Sequence, residues 1–532
     1  MFRAGLTQGR CPHGSDRGNL RGGTGRAGDG MARRRTRRGV LIGAGASIGA
    51  AGGLAAGLAG GRLLWPEVPS TDGVPLVRAA GEGTLNDASL LSRTPVAAHL
   101  TLEWTTRDEM LNFLRAELKT ARAEGQPLCV SAARHSMGAH SIPRGGRAIT
   151  LPHAPLEIDS AARTYRAAGG TRWSDAIAEL DPAGLSPAVT QSNNDFGLAA
   201  TFSVNAHGWA APRGPMASTV RAIDLMLADG EVVRCTREEE ADLFHAAAGG
   251  YGLIGLIVGM ELEAVPNRTL APRHEVMPAE AFGERFATAM RDERLDMAYG
   301  RLSVDREGFF DEALLVTYRP DAGAGEPEAA AGSTWTSHAA SRLYRWQLGN
   351  ERWKRWRWGI ESGLMPGIAG GASRNSLINE PVATLDDRDP ARTDILHEYF
   401  VSPERFPEFL DLCRRVIPAS YQELLNITLR WISADTSATL NYCTVDRIAG
   451  VMSFSQEMTA RAEADMARMT RELIDGVHAI GGAYYLPYRP HASLAQYREG
   501  YPAWERFAAT KRRADPDGVL RNGFWDNYAG RT

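Results

Sequence analysis

Cysteine is scarce and scattered in this chain: five in 532 residues, at Cys11, Cys129, Cys235, Cys413 and Cys443, with no C-x-x-C pair. That spacing argues against a disulfide-built scaffold and against a zinc site, and no metal centre is expected. An excess of one charge is also lacking. Sixty Lys and Arg stand against 63 Asp and Glu, a formal net charge of −3, so the body of the protein has no basic field to attract nucleic acid. Beyond Gly61 there is no apolar run long enough to span a bilayer. At 43% hydrophobic and 23% charged, the chain has the composition of a large folded enzyme of two or more domains.

The first thirty residues are rich in Gly and Arg and show neither helical nor strand period. Met31, an alternative start, opens a basic stretch to Ile42, and a Gly/Ala-rich apolar run follows to about Gly61. Residues 1–61 therefore read as a targeting segment, and 62–85 as a Pro/Gly-punctuated linker. The stretch Thr36-Arg37-Arg38-Gly39-Val40-Leu41 resembles a twin-arginine export signal, which implies a periplasmic or extracytoplasmic destination with the signal cleaved or retained. The apolar run from Gly39 to Gly61 also matches a single membrane anchor, which needs ~20 residues.

Further along, apolar spacing at Met110, Leu111, Phe113, Leu114 and Leu118 predicts a helix over Thr105 to Glu124, ended by Gly125. It leads into a short strand, Pro127 to Val130, which breaks into the small-residue stretch Ser131 to Gly146. Successive N–H groups of such a turn point into a concavity that suits pyrophosphate, and small side chains let the ligand approach. The stretch lacks both G-x-G-x-x-G and G-x-x-x-x-G-K-[ST], so it reads as neither a Rossmann nor a Walker loop. Two more segments follow in order: Gly197 to Trp209 with a hairpin turned at Asp229-Gly230, and the glycine-rich run Asp242 to Val258. Strand-forming runs end at Pro266. Strands interleaved with helices occupy 267–480, including Ile395 to Val401, a helix from Pro403 to Ile417, Leu425 to Ile432 and a long helix from Gln456 to Ile480.

The Ser131-Ala132-Ala133-Arg134-His135-Ser136 stretch resembles the flavin loop of vanillyl-alcohol-oxidase-type (PCMH-type) FAD-binding proteins. The Asn205 to Gly208 and Asp242 to Val258 segments resemble those of aldonolactone and alditol oxidases, and the C-terminal segment resembles these and decaprenylphosphoryl-ribose oxidase. The resemblance implies an α+β protein: a two-subdomain PCMH-type FAD-binding domain over 86–266, and a substrate or cap domain over 267–480 with an antiparallel sheet and helices on one face. Residues 481–532 would return to the FAD domain. It also implies FAD as cofactor, held by Ser131, Ala132, Ala133, Arg134, Ser136, Met137, Asn205, Ala206, His207, Gly208 and the backbone of Ile257. His135 takes the place of the histidine that many members bond covalently to the flavin. Independently of the family, His207 also reads as a packed structural histidine.

Oxidation by flavin needs a group to accept a hydroxyl proton and a cation near developing negative charge. By resemblance Arg430 occupies the arginine of the E-x-R element of alditol oxidases, with Thr428 replacing its Glu, and Tyr488 replaces a substrate-binding Lys. Strand alternation puts His397 and Tyr399 on one face of Ile395–Val401, where both are expected to project toward the flavin, with His397 as the more natural base. Ordinary alternatives are an Arg–carboxylate pair for Arg430 and a core position for Tyr488. The Trp/Arg-rich stretch Arg342 to Trp358 reads as a helix that packs its Trp face and solvates its Arg face, or as a membrane-interface surface. The expected function is an exported FAD-dependent oxidoreductase acting on a sugar, aldonolactone, alditol or lipid-linked polyol, with oxygen or another electron acceptor as second substrate. A CH–NH or sterol-like donor, and a non-catalytic flavin electron relay, are the alternatives.

Overall fold

The computed structural model describes residues 81–103, 106–330, 344–364, 370–381 and 389–531. The expected targeting segment and most of the linker, together with Cys11, Arg342 and Leu343, lie outside the described residues. Among the described residues no helix is long and apolar enough to cross a membrane.

Chain order within residues 98–266 is set by a helix and two sheets. Helix α1, Arg107–Glu124, starts where Thr106 Oγ1 accepts the Glu109 N–H and ends at Gly125 in the left-handed region (φ 63°). Its apolar stripe of Met110, Leu111, Leu114 and Leu118 packs on a parallel three-stranded sheet: β1 (Ala98–Thr101), β2 (Leu128–Ser131) and β3 (Arg147–Thr150), in the order β1-β3-β2. A second, antiparallel sheet holds β4 (Glu157–Asp159), β5 (Thr164–Ala168), β6 (Val220–Met226), β7 (Val232–Cys235) and β8 (Leu256–Pro266), ordered β7-β6-β8-β5-β4. The register of β8 against β6 shifts between Ile257 and Gly259, which bends the strand where the cleft begins. A short helix α2, Leu198–Ser203, lies between β5 and β6 in sequence.

Pro266 ends β8 in one sheet, and Thr269 starts the next. That third sheet is wholly antiparallel: β9 (Thr269–Pro278), β10 (Met297–Leu302), β11 (Glu312–Pro320), β12 (Arg392–Val401), β13 (Glu423–Ile432) and β14 (Arg447–Glu457), in the order β9-β11-β10-β13-β14-β12. Ala372–Ser373 pairs at the β9 edge and Ala483–Tyr484 at the β12 edge. Thr459 Oγ1 caps the last long helix at Ala460, so Gln456 and Glu457, expected in the helix, remain in β14 opposite Thr393 and Arg392.

Helices α3 (Phe282–Ala289), α5 (Phe406–Val416) and α6 (Ala460–Ala479) cover one face of this sheet. Phe282, Phe286, Phe406, Phe409, Met466, Met469 and Leu473 are fully buried there, each worth roughly 1.5–3 kcal/mol of transfer free energy. Helix α4 (Glu351–Gly359) departs from the expectation that helices occupy one face, because its Trp358 joins Tyr299, Leu314 and Val316 on the opposite face and donates from Nε1 to Glu312 Oε2 at 2.7 Å. Its polarity follows the expected Trp-in, Arg-out helix only in part: Trp358 is buried and Arg352 and Arg355 are exposed, but two cations turn inward. Lys354 is buried between Glu351 and Glu423, at 2.9 and 3.0 Å, and Arg357 is bonded to the Leu425 carbonyl, whereas Trp356 is 44% exposed and stacks on Trp353. Carboxylates on the sheet draw the cations inward and leave an indole outside.

The C-terminal segment packs back on the first two sheets. Leu520 bridges Leu128 of β2, Pro487 accepts the Met137 N–H at 2.8 Å, and Asn522 Nδ2 donates to the Tyr251 carbonyl at 2.7 Å.

Candidate active site

A cleft opens where the Ser131–Ser136 loop, the Gly197–Ala206 region and the Gly252–Ile257 turn face Leu396, Tyr485 and Tyr488. The loop after β2 is held from outside: the Arg134 carbonyl accepts the Ala88 N–H, and Asp87 Oδ2 accepts the Ala139 N–H at 2.7 Å. Arg134 sits at φ 53°, a conformation rare for a side-chain-bearing residue, which turns the loop toward the cleft.

Among the described residues, several buried polar atoms of this wall have no protein partner: Ser131 Oγ, Ser136 Oγ, Ser141 Oγ, Arg134 Nε and both ring nitrogens of His140. An unsatisfied buried group costs about 1–3 kcal/mol, so a cluster of them is a demand for a polar ligand. Burial, then the charge of Arg489, pushes His140 down to about 3, so its ring is neutral and offers one donor and one acceptor. Backbones also approach closely here. A Cβ on Gly197 would stand 2.7 Å from Ala132 Cβ, and one on Gly169 would stand 2.1 Å from the Ile257 carbonyl oxygen, so glycine at both positions is what allows the flavin-loop segment and β8 to pack this closely on their neighbours. His135 lies within the cleft, its ring 4.4 Å from that of Phe196 and its Nε2 3.7 Å from Asp195 Oδ2.

Of the residues expected to hold the cofactor, Ser131, Ala132, Ala133, Arg134, His135, Ser136, Ala206 and Ile257 line the cleft. Met137, Asn205, His207 and Gly208 stand behind it. Met137 is buried and ties the loop to Pro487 through its N–H. Asn205 (φ 46°) accepts the Ala217 N–H on Oδ1 and the Tyr442 hydroxyl on its carbonyl, and Gly208 is pressed against the Thr190 carbonyl. These positions shape the wall through the backbone. His140, Phe196 and Tyr251 also line the cleft and were not anticipated; the G-Y-G run at Gly250–Gly252 and the position of His140 five residues after His135 were the available signals.

On the cap side, the buried carboxylate of Glu398 gathers the polar groups. His207 Nε2 donates to Glu398 Oε1 in a close pair, and the Tyr488 hydroxyl donates to Glu398 Oε2 at 3.0 Å. Arg430 Nη1 donates to the His207 carbonyl at 3.3 Å, while its Nε and His207 Nδ1 have no partner among the described residues. Burial by itself would lift the Glu398 carboxyl, but His207, Arg430 and the Tyr488 bond bring it below the usual carboxylate range. Burial and the negative charge of Glu398 push the Tyr488 phenol well above its usual range. A carboxylate and a protonated phenol therefore stand side by side, with the phenol on the cleft wall.

Strand alternation in β12 is as expected, but the faces are reversed. Leu396 and Glu398 turn to the cleft side, while His397 and Tyr399 turn to the helices. His397 Nε2 lies 3.2 Å from Thr470 Oγ1 of α6, Tyr399 OH lies 3.3 Å from His397 Nδ1, and both residues are buried. Burial, then His491, pushes His397 down to about 3. Neither side chain faces the cleft, because the amphipathic helices claim that face of the strand. Thr428 accepts a 2.8 Å bond from Arg301 Nη1, and Arg301 Nε lies 3.2 Å from Glu361 Oε1, so a carboxylate from outside the strand is linked to the position that lacks its own.

The chain contains an FAD-binding domain: residues 111–236 match the family of that description, a span that includes the Ser131–Ser136 loop and Asn205–Gly208. Among its relatives are the alditol oxidase of a Streptomyces species, 30% identical over 141 residues, 26% of this chain and 34% of that protein, and the L-gulonolactone oxidase of Mus musculus, 29% identical over 112 residues, 21% and 26% respectively. Cytokinin dehydrogenase 7 of Oryza sativa subsp. japonica is 29% identical over 168 residues, 30% of this chain and 31% of that protein. The chain thus matches about a third or less of the length of these curated relatives.

Proposed function

We propose that the protein is an FAD-dependent oxidoreductase that oxidises a CH–OH donor: a sugar, an aldonolactone, an alditol or a lipid-linked polyol. The observation that carries this reading is the Tyr488–Glu398 pair on the cap wall, opposite the cluster of unpartnered polar atoms on the FAD wall. Ser131, Ser136, Ser141 and His140 would bind the polar linkage of FAD, while Gly169 and Gly197 let the segments that carry the wall pack closely on one another. Bound there, the flavin supplies a hydride acceptor. Tyr488 would orient the donor hydroxyl by hydrogen bonding, and Arg430, with Nε unpartnered, would stabilise negative charge on the same side. An alditol oxidase and an L-gulonolactone oxidase among the relatives support a hydroxyl donor. Oxygen or another electron acceptor would complete the cycle.

Anaerobic addition of a panel of alditols, sugars and lactones to the purified flavoprotein tests the reading. Bleaching of the flavin absorbance by at least one hydroxyl donor is expected; a flavin left oxidised by all of them, but reduced by an amine, would overturn it.

His135 would bear the flavin covalently: yellow colour should survive acid precipitation in the wild type and be released in His135→Ala. The Thr36–Leu41 stretch supports export, and a membrane surface is a further partner in this reading. Cell fractionation of the wild type and of an Arg37→Lys, Arg38→Lys variant tests this, with retention of the variant inside the cell expected.

A further inference from the structure

We propose that Glu398 is the terminal acceptor of the donor's hydroxyl proton, reached through Tyr488, and that His207 is the positioning residue that holds the carboxylate for it. The inference rests on the reading of the protein as a hydroxyl-oxidising flavoenzyme. Tyr488 is the half-buried member of the cluster and lies on the cleft wall, where a bound donor can reach its phenolic oxygen. Glu398 is 3% exposed, so no donor in the cleft touches it directly. The two are joined by a single 3.0 Å bond in which the phenol donates.

The step balances as follows. The donor's hydroxyl proton passes to the Tyr488 oxygen as the phenolic proton passes to Glu398 Oε2; the phenol is regenerated, the carboxylate becomes a carboxylic acid, and the donor C–O becomes C=O as its hydride goes to the flavin. A phenol is a weak base, and a relay spares it from ionising because the proton is never stored on it. His207 serves orientation. Its Nε2–H holds Oε1 and leaves Oε2 directed at Tyr488, while its carbonyl holds Arg430. The groups that face the carboxylate are His207 from the loop after α2, Arg430 from β13, Tyr442, and Tyr485, Tyr488 and Tyr501 from the C-terminal segment, of which only Tyr488 and His207 bond it directly.

The test uses the intact flavoprotein. Glu398→Gln, which keeps shape and hydrogen bonding but cannot take the proton, should slow anaerobic flavin bleaching about 10²- to 10³-fold, with flavin content and half-saturating donor concentration unchanged. Glu398→Asp should recover part of the rate. Tyr488→Phe should be slowed similarly, and the double variant should be no slower than the slower single one, as expected of groups acting in series. Independently of rate, the infrared difference spectrum on donor reduction should contain a protonated-carboxyl band that Glu398→Gln lacks. Should Glu398→Gln lose its flavin, Tyr488→Phe, which keeps the ring, decides with the same rate readout. Bleaching of Glu398→Gln or Tyr488→Phe at the wild-type rate overturns the relay alone. A wild type that no hydroxyl donor bleaches overturns the functional reading and the relay with it.

Discussion

On the FAD-binding side of the cleft, Ser131, Ser136, Ser141 and His140 keep buried polar atoms without partners among the described residues, whereas on the cap side Glu398 is satisfied by His207 and Tyr488. The first wall is incomplete without a ligand and the second is largely complete within itself. In physical terms, the FAD wall should gain stability when its cofactor binds, while the cap wall should hold its geometry in either state. Preorganised charge of the second kind suits chemistry, because it need not rearrange as the reaction proceeds.

The largest expected break of this contrast is Glu398→Ala. Removing one member of a buried charged cluster should cost about 3–5 kcal/mol, equally with and without flavin, in denaturant unfolding. A loss confined to the flavin-bound protein would make the cap wall as ligand-dependent as the other.

A second comparison uses pH. His397 has a folded value near 3, well below the ~6.5 of an unfolded histidine, so the unfolded chain binds the extra proton between those limits. Its contribution to stability is therefore fully present above about pH 6.5 and is lost as pH falls toward 3. Stability of the apoprotein should decline over that window, and His397→Gln should flatten the decline. An unchanged slope would mean that the other buried groups near it, His491 and Glu463, carry the acid limb.

On the FAD side, Gly197→Ala should lower the stability of the apoprotein itself. Its methyl would crowd Ala132 Cβ at 2.7 Å, an overpacking worth about 1–3 kcal/mol in denaturant unfolding, and by displacing Ala132 on the cleft wall it should also weaken FAD uptake in a titration of apoprotein. Ser136→Ala should have the smallest effect. About 1 kcal/mol of FAD affinity should go, while the apoprotein's melting temperature stays level or rises, since an unsatisfied hydroxyl has been removed. A lower melting temperature would show that Ser136 is bonded within the protein.

The FAD wall was legible in the sequence because it is made of local chain: a strand, a run of small residues and a histidine, contiguous from Leu128 to Ser136. Helix α1 was legible down to its Gly125 stop for the same reason. The cap wall was not. The alternation of β12 could be read, but which face met the cleft depended on α5 and α6, elements packed from later in the chain, so His397 and Tyr399 were favoured over Glu398. Glu361 escaped notice because nothing in the sequence ties it to Arg301 and Thr428; 60 residues separate it from the arginine it meets. The inward turn of Lys354 was hidden likewise, since its partner Glu423 lies far along the chain.

The strand pair at Ala483–Tyr484 and the bond from Met137 to Pro487 have a consequence for the order of assembly. Tyr485 and Tyr488, which close the cleft, emerge from the ribosome after both walls they join. A nascent chain reaching only Gly481 would hold the flavin loop and Glu398 but lack the phenol between them. The same segment also buries Tyr497, Tyr501, Phe507 and Phe524 in the large core and Leu520 against the helix-covered parallel sheet, so the residues that close the cleft arrive together with side chains on which the packing of both walls depends.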